Sequence, residues 1–211
     1  MKIPNIKYCG DYLKSVVDKN NPEDMLTMYK DRESLQETDV YNKYIKKCET
    51  MVRRSREYKV FVDYIRNTLG INFCQITSNI FDVDAKIEMH HGPLLTLYDY
   101  CSIILNYFID NCKPISTFYI ADTVIQEHFE LRVSVVMAAV TNHEAIHNRD
   151  VFINIKQGIG NLNEFINKYS KYLNDEHKYK IWNYVYMCKT NDSYHDGALD
   201  LTAESIKNIT I

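Results

Sequence analysis

Leu131-Arg-Val-Ser-Val-Val-Met-Ala-Ala-Val140 runs without a break into Thr141-Asn-His-Glu-Ala-Ile-His147. The first part is apolar and rich in β-branched residues, which reads as a strand. The second places two histidines four positions apart, so a helix projects both imidazoles from one face. That is a standard way to present two nitrogen ligands to one ion. A partner strand lies upstream, in Ala85-Lys-Ile-Glu-Met-His-His91. Its alternation puts Ile87, Met89 and His91 on one side and Glu88 and His90 on the other, and Gly92-Pro93 ends it. His90, His91, His143 and His147 together define a candidate divalent-metal site.

Around this pair of strands the chain reads as helical. Only four prolines and six glycines punctuate 211 residues, so connections should be short. Residues 1–36 look irregular, with one helix around 22–29. A long helix is expected over 39–69, capped by Thr38 or Asp39 and closed by Gly70. Two further helices, over about 96–111 and 116–130, separate the strands, and Val151-Phe-Ile-Asn-Ile155 reads as a short third strand. The tail from 161 to about 187 is again helical, and its tyrosines and Trp182 read as core. The expected fold class is α+β, mostly helical, with a small ββα-metal element interrupted by a helical insertion. It divides into a helical region 1–80, a core 81–160 with the insertion at 94–130, and a helical region 161–211, forming one compact unit.

Composition narrows the class. The hydrophobic fraction is 45% and the charged fraction 25%, ordinary for a soluble globular chain. No segment approaches the roughly 20 apolar residues of a membrane span, and Met1 to Tyr8 carries no signal-peptide core. The expectation is a cytoplasmic protein with no membrane partner. Six cysteines occur without any Cys-x-x-Cys pair, which argues against a zinc ribbon or a disulfide framework and for small buried hydrophobes. The net charge of −3 counts against a general nucleic-acid binder. Local charge tells a different story, because Lys43, Lys46, Lys47, Arg53, Arg54, Arg56, Lys59 and Arg66 fall in one short segment. Such a run is ordinarily a solvated helix face. Arg53, Arg54 and Lys59, with Arg132 from the second strand, are its candidate phosphate contacts; an ordinary salt bridge is the competing reading of Arg132.

Two chemistries compete for residues 141–147. One is the His-Glu-x-x-His of a zinc metallopeptidase, whose glutamate activates water. It calls for a helix extending upstream through Val133 and a third ligand downstream, for which Glu164, His177 and His195 lack a supporting pattern. The other is the metal helix of a ββα nuclease site. Thr141 and Glu144 are spaced as a capping box, which gives Glu144 a structural task and starts the helix just before His143.

Ile87-Glu-Met-His-His-Gly-Pro93 resembles the first strand of the HNH (His-Me finger) endonucleases, especially the colicin-type DNases. Val133-Ser-Val-Val136 followed by His143-x-x-x-His147 resembles their second strand and metal helix. The whole chain also looks like a group of phage-encoded proteins with a paired-histidine element after a basic helix. The resemblance implies an endonuclease hydrolysing phosphodiester bonds in DNA with a divalent metal (Zn²⁺, Ni²⁺, Mg²⁺ or Mn²⁺). It implies His90, His143 and His147 as ligands, His91 as general base and Glu88 as the group that orients a ligand histidine. Two features depart from the family. The 51 residues between His91 and His143 exceed its spacing, and its central asparagine has no counterpart, Asn142 lying too near the metal helix. These departures keep open a third reading, a metal-stabilised binding or inhibitory protein without turnover. His128, near the end of the inserted helix, is a candidate for the same site, with a satisfied core residue as its plainer reading.

Overall fold

A computed structural model of the chain describes residues 30, 32–148, 150–190, 199, 201–203 and 206. Helix α1 spans Thr38–Arg54 and buries Tyr44, Ile45, Cys48 and Val52, a stripe at helical spacing. The single helix expected over 39–69 is divided at Ser55, whose backbone is extended. The Ser55 hydroxyl donates to the Val52 carbonyl at 2.8 Å and accepts from the Tyr58 amide at 3.1 Å. It thus closes α1 and caps α2, Arg56–Asp63, and this local hydrogen bonding outcompetes helix continuation. A π-helical turn, Tyr64–Thr68, follows, and Gly70 leaves it at φ +70°, the left-handed conformation expected of a terminal glycine. At the start of α1 the preceding residue is Glu37 and no side chain caps the helix; Thr38 lies inside the first turn.

Strands β1, Ile87–His91, and β2, Val135–Ala139, pair antiparallel, with Ile87 opposite Ala139 and His91 opposite Val135. Between them lie α3, Leu97–Asp110, and α4, Thr117–Phe129, the insertion expected from the sequence. Thr96 and Asp99 form a capping box on α3, and Ser116 caps α4. Strand β2 is buried along its whole length. Its free edge is satisfied by the Gln75 backbone and side chain at Met137 and by a two-hydrogen-bond bridge between Val135 and Ile159. Residues 151–155 form no strand. The Asn154 side chain caps a 3₁₀ turn at Ile155–Gln157, and Ile159 takes the place beside β2 instead.

Helix α5, Val140–His147, follows β2 with no residue between them. Helices α6, Leu162–Tyr169, and α7, Asp175–Thr190, complete the helical tail. Two buried carboxylates tie the tail to the insertion. Glu127 on α4 accepts from the Lys168 ammonium at 2.7 Å and the Tyr169 hydroxyl at 2.8 Å. Asp99 on α3 accepts from the Lys180 ammonium at 2.8 Å, with His177 at 3.6 Å. Buried residues from Leu35 to Ile206 form one hydrophobic cluster. The aromatic tail divides between environments. Tyr169 and Tyr184 are buried, but Tyr179 and Tyr186 are exposed and Trp182 is half-buried between them. No helix among the described residues is long and apolar enough to cross a membrane.

The Tyr100 hydroxyl accepts from the buried Ser134 amide at 3.0 Å, fastening the entrance of β2 to α3. Tyr100→Phe leaves that amide without its acceptor, and urea denaturation should show a loss of about 1–3 kcal/mol.

Candidate metal centre

The β1–β2 pairing sets His90 opposite Val136, four residues before α5 begins. The strand alternation then aims His90 toward the helix. Its ring lies 4.9 Å, centroid to centroid, from both His143 and His147, which are 4.8 Å from each other. One ring nitrogen from each of the three lies within 4.8 Å of the other two. His90 is buried, His143 half-buried and His147 exposed, so the cluster opens to solvent on the side of His147.

The neighbouring side chains orient this cluster. Glu88, two residues before His90 and on the same face of β1, accepts a hydrogen bond from His143 Nδ1 at 2.8 Å. That fixes the His143 tautomer and turns the Nε2 lone pair toward its neighbours. Lys86 pairs with the other Glu88 oxygen at 2.6 Å. Hydrogen bonds from Lys86 and His143 hold the Glu88 carboxyl below its ordinary range. Burial first, and then the neighbouring His143 and His147, bring His90 down to about 4, so it presents a neutral imidazole. Gly92 leaves room for this ring: a β-carbon there would stand 3.0 Å from His90 Cδ2 and 3.1 Å from Nε2.

The donor set fits a divalent transition metal. His143 Nε2 and His147 Nε2 are 3.1 Å apart. Two imidazole nitrogens at Zn–N bonds of about 2.0–2.1 Å in a tetrahedron stand about 3.3–3.4 Å apart.

His91 points elsewhere. Its ring enters the opposite face, stacked on Tyr58 at 6.0 Å and edge-on to Tyr100 and His128. His128 Nδ1 lies 2.8 Å from the Val124 carbonyl, so that nitrogen carries the proton. Burial drives His128 down to about 4 and His91 well below its usual range. Both rings are therefore neutral, and His128 Nε2 accepts from His91 Nε2–H at 3.0 Å. The adjacent histidines thus divide, one facing the cluster and the other tying β1 to α4 through the core.

Of the basic candidates, Arg53, Arg54 and Lys59 are exposed on α1 and α2. Arg53 is near enough to act on His90, His91 and His128, and its pairing with Glu49 is long, at 3.9 Å. Arg132 is bound by Glu127 and lies 3.7 Å from Glu130. Its guanidinium is committed to carboxylates, the ordinary salt bridge, because Glu127 is buried and needs a cation.

The capping box expected at Thr141 and Glu144 is absent. Helix α5 starts at Val140, its N-cap position is Ala139, and no side chain caps it. Thr141 therefore lies inside the first turn, and both it and Glu144 are exposed. Strand β2 in place of an upstream helix also removes the long frame that a metallopeptidase helix requires. Among the described residues no downstream ligand joins the cluster: Glu164 serves the start of α6 and His177 is buried beside Asp99. His195 lies outside the described residues.

Among the described cysteines, Cys48, Cys101 and Cys188 are buried free thiols, as expected of small hydrophobes, while Cys112 is exposed. Cys74 differs. Burial raises its thiol, but hydrogen bonds from Thr77, the Ala139 amide and Asn142 outweigh that and bring it down to about 7. The Asn142 side chain, 3.1 Å from Cys74 Sγ, holds the start of α5 to the loop before β1. No spacing signal marked that contact.

A family model described as bacteriophage G278-like virion protein matches residues 9–210. The chain belongs to that family. No curated protein and no solved structure matches it.

Acid should weaken the fold through the buried histidine pair. His128 stays neutral in the folded state down to about 4, whereas the unfolded chain takes up that proton near 6.5. Stability is therefore full above about 6.5 and is lost as pH falls toward 4. His128→Gln still accepts from His91 but has no proton to gain, so its Tm should fall less than wild type between pH 7 and pH 5. An equal fall would show that the pair does not carry the effect.

Proposed function

We propose that this virion-family protein binds one divalent transition metal through His90, His143 and His147, and that the centre hydrolyses phosphodiester bonds in DNA. The observation that carries the reading is the antiparallel strand pair whose second strand runs directly into a helix, with one histidine of the cluster on β1 and two on α5. This is the arrangement that the resemblance to HNH endonucleases implies, and the virion family is consistent with its phage side. The site of action would be the particle or the host cell it enters, in place of a purely cytoplasmic role.

An ion held there supplies Lewis-acid polarisation of a phosphoryl oxygen. The chain's own groups do the rest. His90, His143 and His147 bind through neutral nitrogens, and Glu88 orients His143 through its Nδ1 proton. Lys86 steadies Glu88, and Gly92 keeps the His90 ring uncrowded. The open side at His147 admits a substrate, and Arg53 is an exposed cation whose charge reaches His90 and that can meet a phosphate.

One observation favours a second reading. His91, the base implied by the resemblance, is buried on the opposite face with its Nε2 proton given to His128. A centre without that base suits a metal-stabilised binding protein that lacks turnover.

Plasmid cleavage by wild type, His143→Ala and His91→Ala, across Mg²⁺, Mn²⁺, Ni²⁺ and Zn²⁺ with bound metal quantified, separates the two. The nuclease reading expects cleavage by wild type and its loss with the metal in His143→Ala. Metal uptake without cleavage under any ion leaves the second reading, and absence of uptake sinks both. In the same titration Glu88→Ala should bind metal about 10–100-fold more weakly.

A further inference from the structure

Helix α7 carries two seams. The inner one, His177, Ile181, Tyr184 and Cys188, is buried. Its spacing of four, three and four is the pattern a helix presents to a packed neighbour. The opposite side repeats that pattern with Asp175, Tyr179, Trp182, Tyr186 and Lys189, spaced four, three, four and three. Tyr179 is 63% and Tyr186 44% exposed. Their rings stack on Trp182, at 6.0 Å and 23° for Tyr179 and at 5.5 Å and 10° for Tyr186. The result is an aromatic ridge in which the exposed Tyr179 and Tyr186 flank the half-buried Trp182. The ridge ends in opposite charges, Asp175 and Lys189, both exposed.

We infer that the outer face of α7 docks on the same face of a second copy of this chain, in an antiparallel two-fold contact centred on Trp182. The charge pattern selects the occupant. Asp175 and Lys189 lie seven residues either side of Trp182, so an antiparallel copy sets each against its opposite, and a parallel copy sets like against like. A two-fold axis forms both ion pairs at once and joins the two ridges. Tyrosine and tryptophan are the residue types that anchor such contacts. A helix pair of this length covers roughly a few hundred Å² per copy, below the about 800 Å² of a standard interface. Association is therefore weak in dilute solution and favoured where copies are held close together.

Trp182 is the sole tryptophan, so its fluorescence reports the contact directly. Sedimentation equilibrium and fluorescence of the full chain from about 1 µM to 1 mM should show reversible dimerisation with a shift in Trp182 emission. Trp182→Ala should weaken the dimer at least tenfold, read by sedimentation. Asp175→Lys and Lys189→Asp should each weaken it roughly threefold to tenfold, and the double reversal should restore it to within about twofold. Circular dichroism should be unchanged in all four variants, since none of these side chains is fully buried. A wild type that stays monomeric throughout overturns the inference. So does a dimer that the double reversal fails to restore, because the contact is then not the antiparallel self-pairing.

Discussion

The pairing of five residues of β1 with five of β2 carries the rest of the arrangement, because it is what closes the 51-residue gap between the two histidine groups. His90 reaches α5 only because Ile87 pairs with Ala139 and His91 with Val135. A slip of one residue turns His90 into the core and His91 onto the helix. The register is accordingly held from several sides. The Gly92 amide donates to the Ser134 carbonyl and the Val140 amide to the Lys86 carbonyl, extending the ladder at both ends. Tyr100 holds the Ser134 amide, and Gln75 and Ile159 occupy the far edge of β2. A two-stranded sheet is marginal alone. Here it is stable as one layer against the helices inserted between its own strands.

That insertion explains the division between His90 and His91. Adjacent strand residues must face opposite ways, and the helices inserted by the sequence build a core on one of those ways only. His91 enters it between Tyr58, Tyr100 and His128. A buried neutral His128 satisfies both ring nitrogens internally, since its Nε2 accepts from His91 and its Nδ1–H donates to the Val124 carbonyl. The family resemblance assigned adjacent histidines two roles at one centre. The packing assigns them one role at the centre and one in the core, and this difference follows from what the insertion places beneath the strand.

How much of this was legible in the sequence depends on the range of the interaction. The strands, the inserted helices and the triad were readable because their signals are periodic: alternation at Ile87 to His91, the β-branched run before Thr141, and two histidines four apart. Gly70 was readable from its conformational freedom. The break at Ser55 was not, because a serine inside a charged helical run carries the same local signal whether or not its hydroxyl turns back to Val52. The helix start at Val140 was missed for a related reason. The Thr141 and Glu144 spacing suggested a capping box, but the strand continues to Ala139 and the helix takes over at once, leaving no capping position for Thr141. Long-range contacts with no periodic signal, such as Cys74 with Asn142, left no mark, and His128 was legible only as a lone histidine whose core reading the packing against His91 bears out.

The aromatic residues of α7, which composition alone sends to the core, divide between its two faces. Periodicity places Tyr184 inside and Trp182 outside, two residues apart, because only one face of the helix meets the insertion. Asp99 fixes that choice, because Lys180 and His177 of α7 are drawn to it, while Glu127 holds α6 beside it through Lys168 and Tyr169. Removing Asp99 would cost α7 its Lys180 pair to α3, and removing Glu127 would leave the buried Tyr169 hydroxyl without that acceptor, a larger cost than the hydrogen bond itself. The helix therefore cannot roll its outer tyrosines inward without breaking these pairs. The outward ridge is a consequence of the buried Asp99 carboxylate, which holds α7 in the orientation that leaves its second seam facing outward.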